Sequence, residues 1–309
     1  MRFRHRHVLD LSDWRREEYE LVLDQARVFE ELLDRPIKKV PALRGKMVVN
    51  LFFEPSTRTR VSFELAAKVL GADVINWSSS GSSTSKGETL KDTAWTLEAM
   101  GADAVVVRHG GIGAPHFLAE RLRHALVINA GDGKHAHPTQ ALLDLYTAWK
   151  RFGRLEGLKV AILGDISHSR VARSDVQAFK AMGAQVVLCG PRTMIPLEVE
   201  ALGCACEPDP RRAVEDAQVI YLLRIQKERI GEVLFPTESE YHRRYGATRE
   251  LLELAPKDAV VMHPGPINRG VEIESAVADG DRSLILDQVK SGVAVRMALL
   301  FLCLGGGGR

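Results

Sequence analysis

The segment MVVNLFFEPSTRTRVSFELAAKVL, residues 47–70, contains a strand, a polar loop and a helix in succession. Residues 47–53 form a short apolar run of the kind that becomes a buried strand. Val61, Leu65, Ala66 and Val69 then recur at helical spacing, so they mark one face of a helix. A strand followed at once by an amphipathic helix is the building unit of parallel α/β sheets, and the segment predicts such a sheet.

The same alternation extends over the first half of the chain. An amphipathic helix is predicted over residues 13–33, and a long helix begins near residue 137. Gly153 ends that long helix, and we place the domain boundary there. Between the two helices we predict strands at 74–77, 104–107 and 126–129, and helices at 90–100 and 115–123.

The second half repeats the pattern, with strands predicted at 159–164, 185–189, 219–222 and 259–262 and a last apolar helix over 283–304. The sequence therefore predicts an α/β protein with two open parallel-sheet α/β domains, helices on both faces of each sheet and long interdomain helices that join them. The predicted limits are 1–150 for the first domain, 151–285 for the second, and 286–309 for a C-terminal helix that packs back on the first.

Composition excludes several classes of protein. The 309 residues include 45% hydrophobic and 27% charged residues, which is an ordinary globular balance. A formal net charge of +2 lacks the strong positive field of nucleic-acid-binding proteins. The four cysteines suit neither a disulfide framework nor a four-cysteine zinc site. The N-terminal residues lack the apolar core of a signal peptide. The apolar run 297–304 is shorter than a membrane span, which needs about 20 residues. We expect a cytoplasmic protein without membrane or nucleic-acid partners.

The loop after the first strand has the composition of an anion site. Ser56, Thr57, Arg58, Thr59 and Arg60 lie between residues 47–53 and the following helix, so hydroxyls, guanidiniums and helix N-terminal amides come together. Phosphate is the expected occupant. The alternative is a capped helix start with solvated arginines, and two arginines in one turn favour the anion site.

A second polar loop, residues 77–89, is rich in serine and contains Lys86. It lacks the glycine before lysine and the Ser or Thr after lysine that a P-loop requires, because Ser85 and Gly87 occupy those places. Nucleotide triphosphate chemistry is therefore not supported. The loop is either one that closes over an anionic substrate or an ordinary linker.

Two further strand ends contain polar groups. Arg108 follows residues 104–107, and His135, His137 and Gln140 lie in the segment after residues 126–129. His135 and His137 alone are a weak metal signal, because no carboxylate or cysteine cluster accompanies them in the sequence, and no metal is predicted. We expect the imidazole beside Arg108 to donate a hydrogen bond to a carbonyl oxygen in its neutral form.

The strand ends of the second half indicate a site for a small acid. Residues 164–170 follow a strand without a GxGxxG motif, which disfavours NAD. Arg224, Gln226 and Lys227 follow the strand at 219–222, and residues 263–266 follow the next strand. Arginines bind carboxylates bidentately, whereas the alternative is a set of surface ion pairs.

At this point the chain resembles the aspartate/ornithine carbamoyltransferase family over nearly its whole length, and the aspartate branch in particular. The resemblance lies in STRTR at residues 56–60, HPTQ at 137–140, RIQKER at 224–229 and VEI at 271–273. HPTQ has Thr where the ornithine branch usually has Cys, and the Ser-Met-Gly and His-Cys-Leu-Pro elements of that branch are missing. The resemblance implies that the first domain binds carbamoyl phosphate, that the second binds aspartate and that no cofactor is needed.

The resemblance also implies roles for individual residues. Catalytic roles fall to Arg58, Thr59, Lys86, Arg108 and His137. Phosphate would be held by Ser56, Thr57, Arg58, Thr59 and Arg108; the carbamoyl carbonyl would be polarised by Thr59, Arg108 and His137; and Gln140 would contact the carbamoyl amide. The aspartate carboxylates would be held by Arg170, Arg224 and Gln226, with Lys86 and Ser83 supplied by a neighbouring subunit and with Gly265 and Pro266 also in the site.

The implied assembly is a homotrimer whose active sites are shared between subunits. Residues 263–272 resemble the bacterial type that often assembles with dihydroorotase. Two other functions stay open: transfer to ornithine or another amino acid, and a catalytically silent scaffold subunit. A cationic side chain would sit badly beside Arg170, Arg224 and Lys86, and the presence of Arg58 and His137 argues against a silent subunit.

Overall fold

The computed structural model describes residues 3–78, 88–225 and 235–305. The chain divides into two compact units. Unit 1 comprises residues 1–143 and 289–309, and unit 2 comprises residues 144–288. Each unit is built around one parallel sheet, so the prediction of two parallel-sheet α/β domains is confirmed.

Unit 1 contains a four-stranded parallel sheet with the strand order β2-β1-β3-β4. Its elements are α1 (Arg16–Leu33), β1 (Met47–Phe52), α2 (Thr57–Val69), β2 (Asp73–Ser78), α3 (Leu90–Ala99), β3 (Ala104–His109), α4 (Ala114–Ala119), β4 (Leu126–Asp132) and α5 (Pro138–Phe152), which continues into unit 2.

Burial explains why these strands lack an alternating polar pattern. Every residue of β4 is buried, and so are five of the six residues of β1. Strands covered on both faces by helices become continuous apolar runs rich in β-branched residues, as in Val105 to Val107 of β3. Val49 and Val105 pack with Leu97 and Leu118 from the intervening helices in one core cluster. The chain therefore alternates strand and helix because each helix covers the sheet.

Unit 2 contains a five-stranded parallel sheet with the strand order β7-β6-β5-β8-β9. Its elements are β5 (Lys159–Leu163), α6 (Arg170–Ala181), β6 (Gln185–Cys189), β7 (Ala205–Cys206), α7 (Pro210–Val214), β8 (Val219–Leu222), α8 (Glu238–Tyr245), α9 (Arg249–Glu253), β9 (Val260–Met262) and α10 (Ser275–Ala278), with 3₁₀ turns at Arg192–Met194 and Val199–Leu202.

Two long helices run through the limits of the units. The first limit, between residues 143 and 144, lies inside α5, and the second, between 288 and 289, lies inside α11 (Ile285–Leu300). The predicted domain limits, 1–150, 151–285 and 286–309, therefore stay predictions. The two compact units are instead divided inside helices.

The last helix is longer than its apolar run indicated. A π-helical segment, Phe301–Gly305, extends α11, so that Ile285–Gly305 has the length and composition to cross a membrane. It is the one such helix among the described residues, and 56% of its apolar window is buried inside the structure. A core helix of a soluble protein passes the same test. The length of the run 297–304 alone was therefore not enough to exclude a membrane span. The burial of this helix inside the structure is the better argument against one.

The sheet order locates the candidate site in each unit. In an open parallel sheet, ligands bind beyond the carboxyl ends of the strands where the order of connection reverses direction. That reversal lies between β1 and β3 in unit 1 and between β5 and β8 in unit 2. The carboxyl ends of these four strands and the segments that follow them contain Ser56 to Arg60, Arg108, Arg170 and Arg224.

Candidate active site

Arg108 lies at the centre of the candidate site of unit 1. It is paired in register with Phe52, the last residue of β1, and Phe53 N donates a hydrogen bond of 2.9 Å to Arg108 O. The loop that begins after Phe52 therefore starts beside Arg108. The sheet pairing brings together two segments that are about 50 residues apart in the chain.

The guanidinium of Arg108 is held from both sides. Its Nη1 donates to Ala130 O at 3.0 Å, and its Nε lies 3.5 Å from Glu54 Oε2. Only 14% of the side chain is exposed, so water screens these interactions weakly. Glu54 was not predicted as a site residue, because its place two residues before Ser56 does not show that it contacts Arg108. It orients the guanidinium.

The loop after β1 leads directly into α2. Ser56 is the N-cap residue with φ −161° and ψ 86°, and its side chain makes no capping bond among the described residues. Thr57 and Arg58 are exposed, whereas Thr59 is buried and 7% exposed. Amides at the start of a helix lack intrahelical acceptors and attract anions through the helix dipole. The 13-residue α2 therefore presents its N-terminus, two hydroxyl groups and a guanidinium in one turn.

His137 and Gln140 are the polar residues at the start of α5. Both are buried, with 4% and 8% exposure. Gln140 N donates to His137 O at 3.0 Å, so the first turn forms immediately after His137, and Pro138 at the first helical position has no amide that needs a partner. Buried polar side chains at a helix start are costly unless they have hydrogen-bonding partners or a ligand, and both residues have interactions in the structure.

In unit 2, the loop after β5 ends at Arg170. Ser169 caps α6 by accepting a hydrogen bond from Ala172 N at 3.1 Å, which fixes Arg170 as the first helical residue. Arg170 is only 3% exposed. The loop is itself braced, because His168 Nδ1 lies 2.9 Å from Asp165 Oδ1. Gly164 has φ 127°, and a Cβ there would lie 3.1 Å from Leu223 Cβ, so glycine allows the ends of β5 and β8 to approach closely.

The loop after β9 is tied to the end of β8. Gly265 N donates to His263 Nδ1 at 2.7 Å, which places the ring proton on Nε2, where it is shared with Glu272 Oε1 at 3.1 Å. Asn268 N also donates to Glu272 Oε1, at 2.6 Å, and Asn268 Nδ2 donates to Ile225 O at 3.2 Å. This network holds the cis peptide between Gly265 and Pro266 near the residue that follows Arg224.

The predicted site residues fall into three groups. Unit 1 contains Ser56, Thr57, Arg58, Thr59, Arg108, His137 and Gln140, all at or after the carboxyl ends of strands of its sheet. Unit 2 contains Arg170, Arg224, Gly265 and Pro266. Ser83, Lys86 and Gln226 lie outside the described residues, so their predicted roles stay predictions.

The residues that sequence reasoning missed are the ones that position others. Glu54 orients Arg108, Glu272 connects His263 to Asn268, and Asp165 braces the loop before Arg170. An acidic side chain among basic ones gives no sign in the sequence of which residue it will contact. The arrangement as a whole suits anionic substrates, since each unit directs arginines to the edge of its sheet where ligands bind.

Comparison with known proteins assigns the class. Residues 6–150 match the carbamoyl-P binding domain of aspartate/ornithine carbamoyltransferase, and residues 156–303 match the Asp/Orn binding domain of the same family. The chain belongs to the aspartate/ornithine carbamoyltransferase family.

The particular branch follows from individual relatives. The aspartate carbamoyltransferase catalytic subunit of Geotalea daltonii is 57% identical over 308 residues, which cover 99% of this chain and 98% of that protein. Aspartate transcarbamoylase of Trypanosoma cruzi, solved with carbamoyl aspartate and phosphate, superposes with a TM-score of 0.89 at 28% identity and covers 98% of this chain and 97% of that one.

Fold similarity does not separate the two branches. The ornithine carbamoyltransferase of Pyrococcus furiosus superposes with a TM-score of 0.86 at 30% identity over 100% of both chains. Identity to these two solved structures does not separate them either, at 28% for the aspartate enzyme and 30% for the ornithine enzyme. The assignment to a branch rests on the Geotalea daltonii relative, which is 57% identical over 99% of this chain. The resemblance to the aspartate branch that the motifs indicated is confirmed.

Proposed function

We propose that the chain transfers the carbamoyl group of carbamoyl phosphate to the α-amine of L-aspartate, giving N-carbamoyl-L-aspartate and phosphate as a step of pyrimidine biosynthesis. The single observation that carries this proposal is Arg108, fixed at the end of β3 between Glu54 and Ala130 and directly beside the loop that opens α2. An anchored arginine at a helix N-terminus is suited to a phosphoryl group. The names and bound ligands of the relatives supply the reaction.

The phosphate half of the first substrate would be held by unit 1. The amides of the first turn of α2, the hydroxyl groups of Ser56 and Thr57 and the guanidinium of Arg58 supply donors to phosphate oxygens. Phosphate is the leaving group, and its charge grows as the C–O bond breaks. Donors fixed before the reaction stabilise that charge without reorganisation, which is where most of the catalysis would arise.

The carbonyl half would be polarised by Thr59, Arg108 and His137. A developing oxyanion needs donors that are held rigidly in a water-poor place, and Thr59 and His137 are both buried. Gln140 lies in the first turn of α5, close after His137. Its side-chain amide would accept hydrogen bonds from the carbamoyl amide and donate hydrogen bonds to it.

The second substrate would be held by Arg170 and Arg224 of unit 2, together with Gln226 and, from a neighbouring subunit, Lys86 and Ser83. Two carboxylates match two guanidiniums, whereas the ammonium of ornithine would be repelled by the same groups. Arg170 is 3% exposed, so water would screen its attraction to a carboxylate only weakly.

The chemical step needs no covalent enzyme intermediate. The amine nitrogen of aspartate attacks the carbamoyl carbon, the new C–N bond forms, and the C–O bond to phosphate breaks. The nitrogen then loses one proton, and the departing phosphate, which gains basicity as it leaves, is the proposed acceptor.

We further propose a cytoplasmic homotrimer with shared active sites and an assembly with dihydroorotase. Support for association comes from the surface of α2, where Val61 and Leu65 are 49% and 45% exposed at helical spacing. Side chains of that size on one helix face are typical of contacts between chains.

A radiometric assay tests the proposal. The purified chain is mixed with carbamoyl phosphate labelled in the carbamoyl carbon and with either aspartate or ornithine, and the labelled products are separated. Label in N-carbamoyl-L-aspartate is the expected result. Label in citrulline would support the ornithine alternative, and no transfer to either amino acid by a correctly assembled protein would support the scaffold alternative.

A further inference from the structure

Three side chains of unit 1 that the proposed reaction does not use lie together beside β4. They are His116 of α4, Asp132 at the end of β4 and His135 of the following turn. One nitrogen of each histidine and one carboxylate oxygen all lie within 4.8 Å of one another. In the sequence, His135 and His137 gave only a weak metal signal. The other histidine of the cluster, His116, comes from an element 19 residues before His135, so the sequence does not show that the two lie together.

Asp132 is held rigidly in this cluster. It is fully buried, and its carboxylate accepts hydrogen bonds from Asn129 Nδ2 at 2.9 Å, Gly113 N at 2.8 Å and Ala136 N at 3.1 Å. These donors fix the direction of the carboxylate. A ligand held by other groups in this way loses little entropy when it binds an ion.

His135 already lies at ligand spacing from Asp132. Its Nδ1 is 3.2 Å from Asp132 Oδ1 and 3.1 Å from Oδ2. Two ligand atoms on a tetrahedral zinc ion with bonds of 2.0–2.1 Å are about 3.3 Å apart. The pair therefore requires almost no movement to hold one ion.

His116 provides the third ligand with an open nitrogen. Its Nε2 lies 3.0 Å from Asp10 Oδ2, and its Nδ1 is buried and has no hydrogen-bond partner within residues 3–78, 88–225 and 235–305. Because Asp10 accepts the proton of Nε2, the lone pair of the ring is left on Nδ1.

The two rings also have the separation of two imidazoles on one ion. Their centroids are 5.5 Å apart, and their planes meet at 68°. A ring centroid lies about 3.2 Å from a zinc ion bound to one of its nitrogens, so tetrahedral coordination places two centroids about 5.2 Å apart. The side chains of His116 and His135 are each 37% exposed, so both rings lie at the surface of unit 1, although Nδ1 of His116 is buried.

We propose that His116, Asp132 and His135 form a binding site for a divalent transition-metal ion of the zinc class. Two imidazoles and one carboxylate leave a fourth position for water, and this ligand set favours zinc, cobalt or nickel over calcium and magnesium, which prefer oxygen ligands. The ion joins α4 to the turn after β4, and that turn leads in two residues to His137. The alternative is that the histidines only form hydrogen bonds to their two carboxylates.

Cobalt and zinc binding test the site. Because Cys204 and Cys206 lie two residues apart and offer a competing thiol site, the experiment uses the Cys204→Ser, Cys206→Ser double variant as the parent chain. Isothermal titration with ZnCl₂ and the visible absorption of added Co²⁺ are followed in that parent and in its His116→Asn and His135→Asn derivatives. The control is His124→Asn, which changes an exposed histidine outside the cluster.

We expect one ion per chain in the parent and the control, with the absorption of a tetrahedral cobalt ion. Either cluster variant should weaken binding at least tenfold, and zinc should raise the melting temperature of the parent more than that of the variants. Asparagine keeps a polar side chain at each position, and circular dichroism of each variant establishes that it is folded. Equal affinity in the control and both cluster variants, or no binding by the parent, would overturn the proposal.

Discussion

Asp144 and Asp175 form a carboxyl pair in the interior of unit 2. Tyr221 Oη donates to Asp144 Oδ2 at 2.8 Å, and Gln288 Nε2 donates to Asp144 Oδ1 at 2.6 Å, so each oxygen of Asp144 accepts a hydrogen bond. No described residue donates to either oxygen of Asp175, which is fully buried. Burial, followed by the charge of Asp144, raises the pKa of Asp175 well above its ordinary value. Asp175 therefore holds the proton that the two carboxyls share.

This pair predicts that an Asp175→Asn variant is more stable than the wild type and that its advantage grows as pH rises. Asp175 binds its proton more tightly in the folded chain than in the unfolded chain, so wild-type stability falls as pH rises above about 4, the ordinary pKa of an aspartate. Asparagine donates to Asp144 at every pH and has no proton to lose. The free energy of unfolding in urea should favour the variant by about 1–3 kcal/mol at pH 8 and by much less at pH 5.

Asp258→Asn is the matched control, because that carboxyl group is exposed in the same unit. The control should follow the wild type at both pH values. An Asp175→Asn variant whose advantage is the same at pH 5 and pH 8 would show that the carboxyl pair does not share a proton in the folded chain.

Arg58 and Arg224 should affect different substrates. Arg224→Ala is expected to raise the KM for aspartate by about 10-fold to 150-fold, the cost of losing charged hydrogen bonds, with a much smaller change for carbamoyl phosphate. Arg58→Ala should instead lower kcat, because the leaving phosphate loses a stabilising charge. Steady-state kinetics with each substrate varied in turn measures both effects, and the same defect in both variants would contradict the division of labour.

Most of the fold was predictable because β1, β3 and β4 of unit 1 and β5 and β8 of unit 2 are buried along most or all of their length. Runs such as residues 104–107 are apolar at every position, and a strand buried on both faces cannot be otherwise. The short elements of unit 2 were not predictable in this way. Strand β7 has two exposed residues and α9 has five residues, and neither leaves a periodic pattern.

The role of a site residue could be predicted when it depends on the residue's place at the end of a strand. It could not be predicted when it depends on a contact with another side chain. Arg108 is the last residue but one of β3, next to the switch point, and the sequence shows it directly after the apolar run 104–107. Glu54 and Glu272 act through distances of 3.5 Å to Arg108 and 3.1 Å to His263, and such contacts exist only once the sheets have formed.

A ligand that joins a phosphonate to an aspartate-like diacid should bind far more tightly than phosphate or aspartate alone. Its two ends match the anion sites proposed for unit 1 and unit 2, and the covalent link removes the entropic cost of assembling two separate molecules. Isothermal titration of the wild type should give an affinity at least a hundredfold above that for phosphate, and Arg224→Ala should remove most of that gain. A ligand no better than phosphate would contradict the use of both anion sites in one reaction.

Mixed assemblies of two inactive variants should regain activity. The family resemblance assigns Lys86 to the active site of a neighbouring subunit, so in a closed head-to-tail ring each site combines one chain's main pocket with the next chain's loop. Arg58→Ala damages only the pocket and Lys86→Ala only the loop. A site that takes its pocket from the Lys86 variant and its loop from the Arg58 variant is intact.

Random reassembly of equal amounts should make roughly a quarter of all sites intact, because each half-site is drawn independently. The measurement is carbamoyl transfer after the two variants are dissociated together and reassembled, with mixed trimers identified by native mass spectrometry. Each variant reassembled with itself is the control. If mixed trimers form and activity stays at the level of the separate variants, Lys86 does not act across a subunit boundary, because a residue acting within its own chain would leave every mixed site defective.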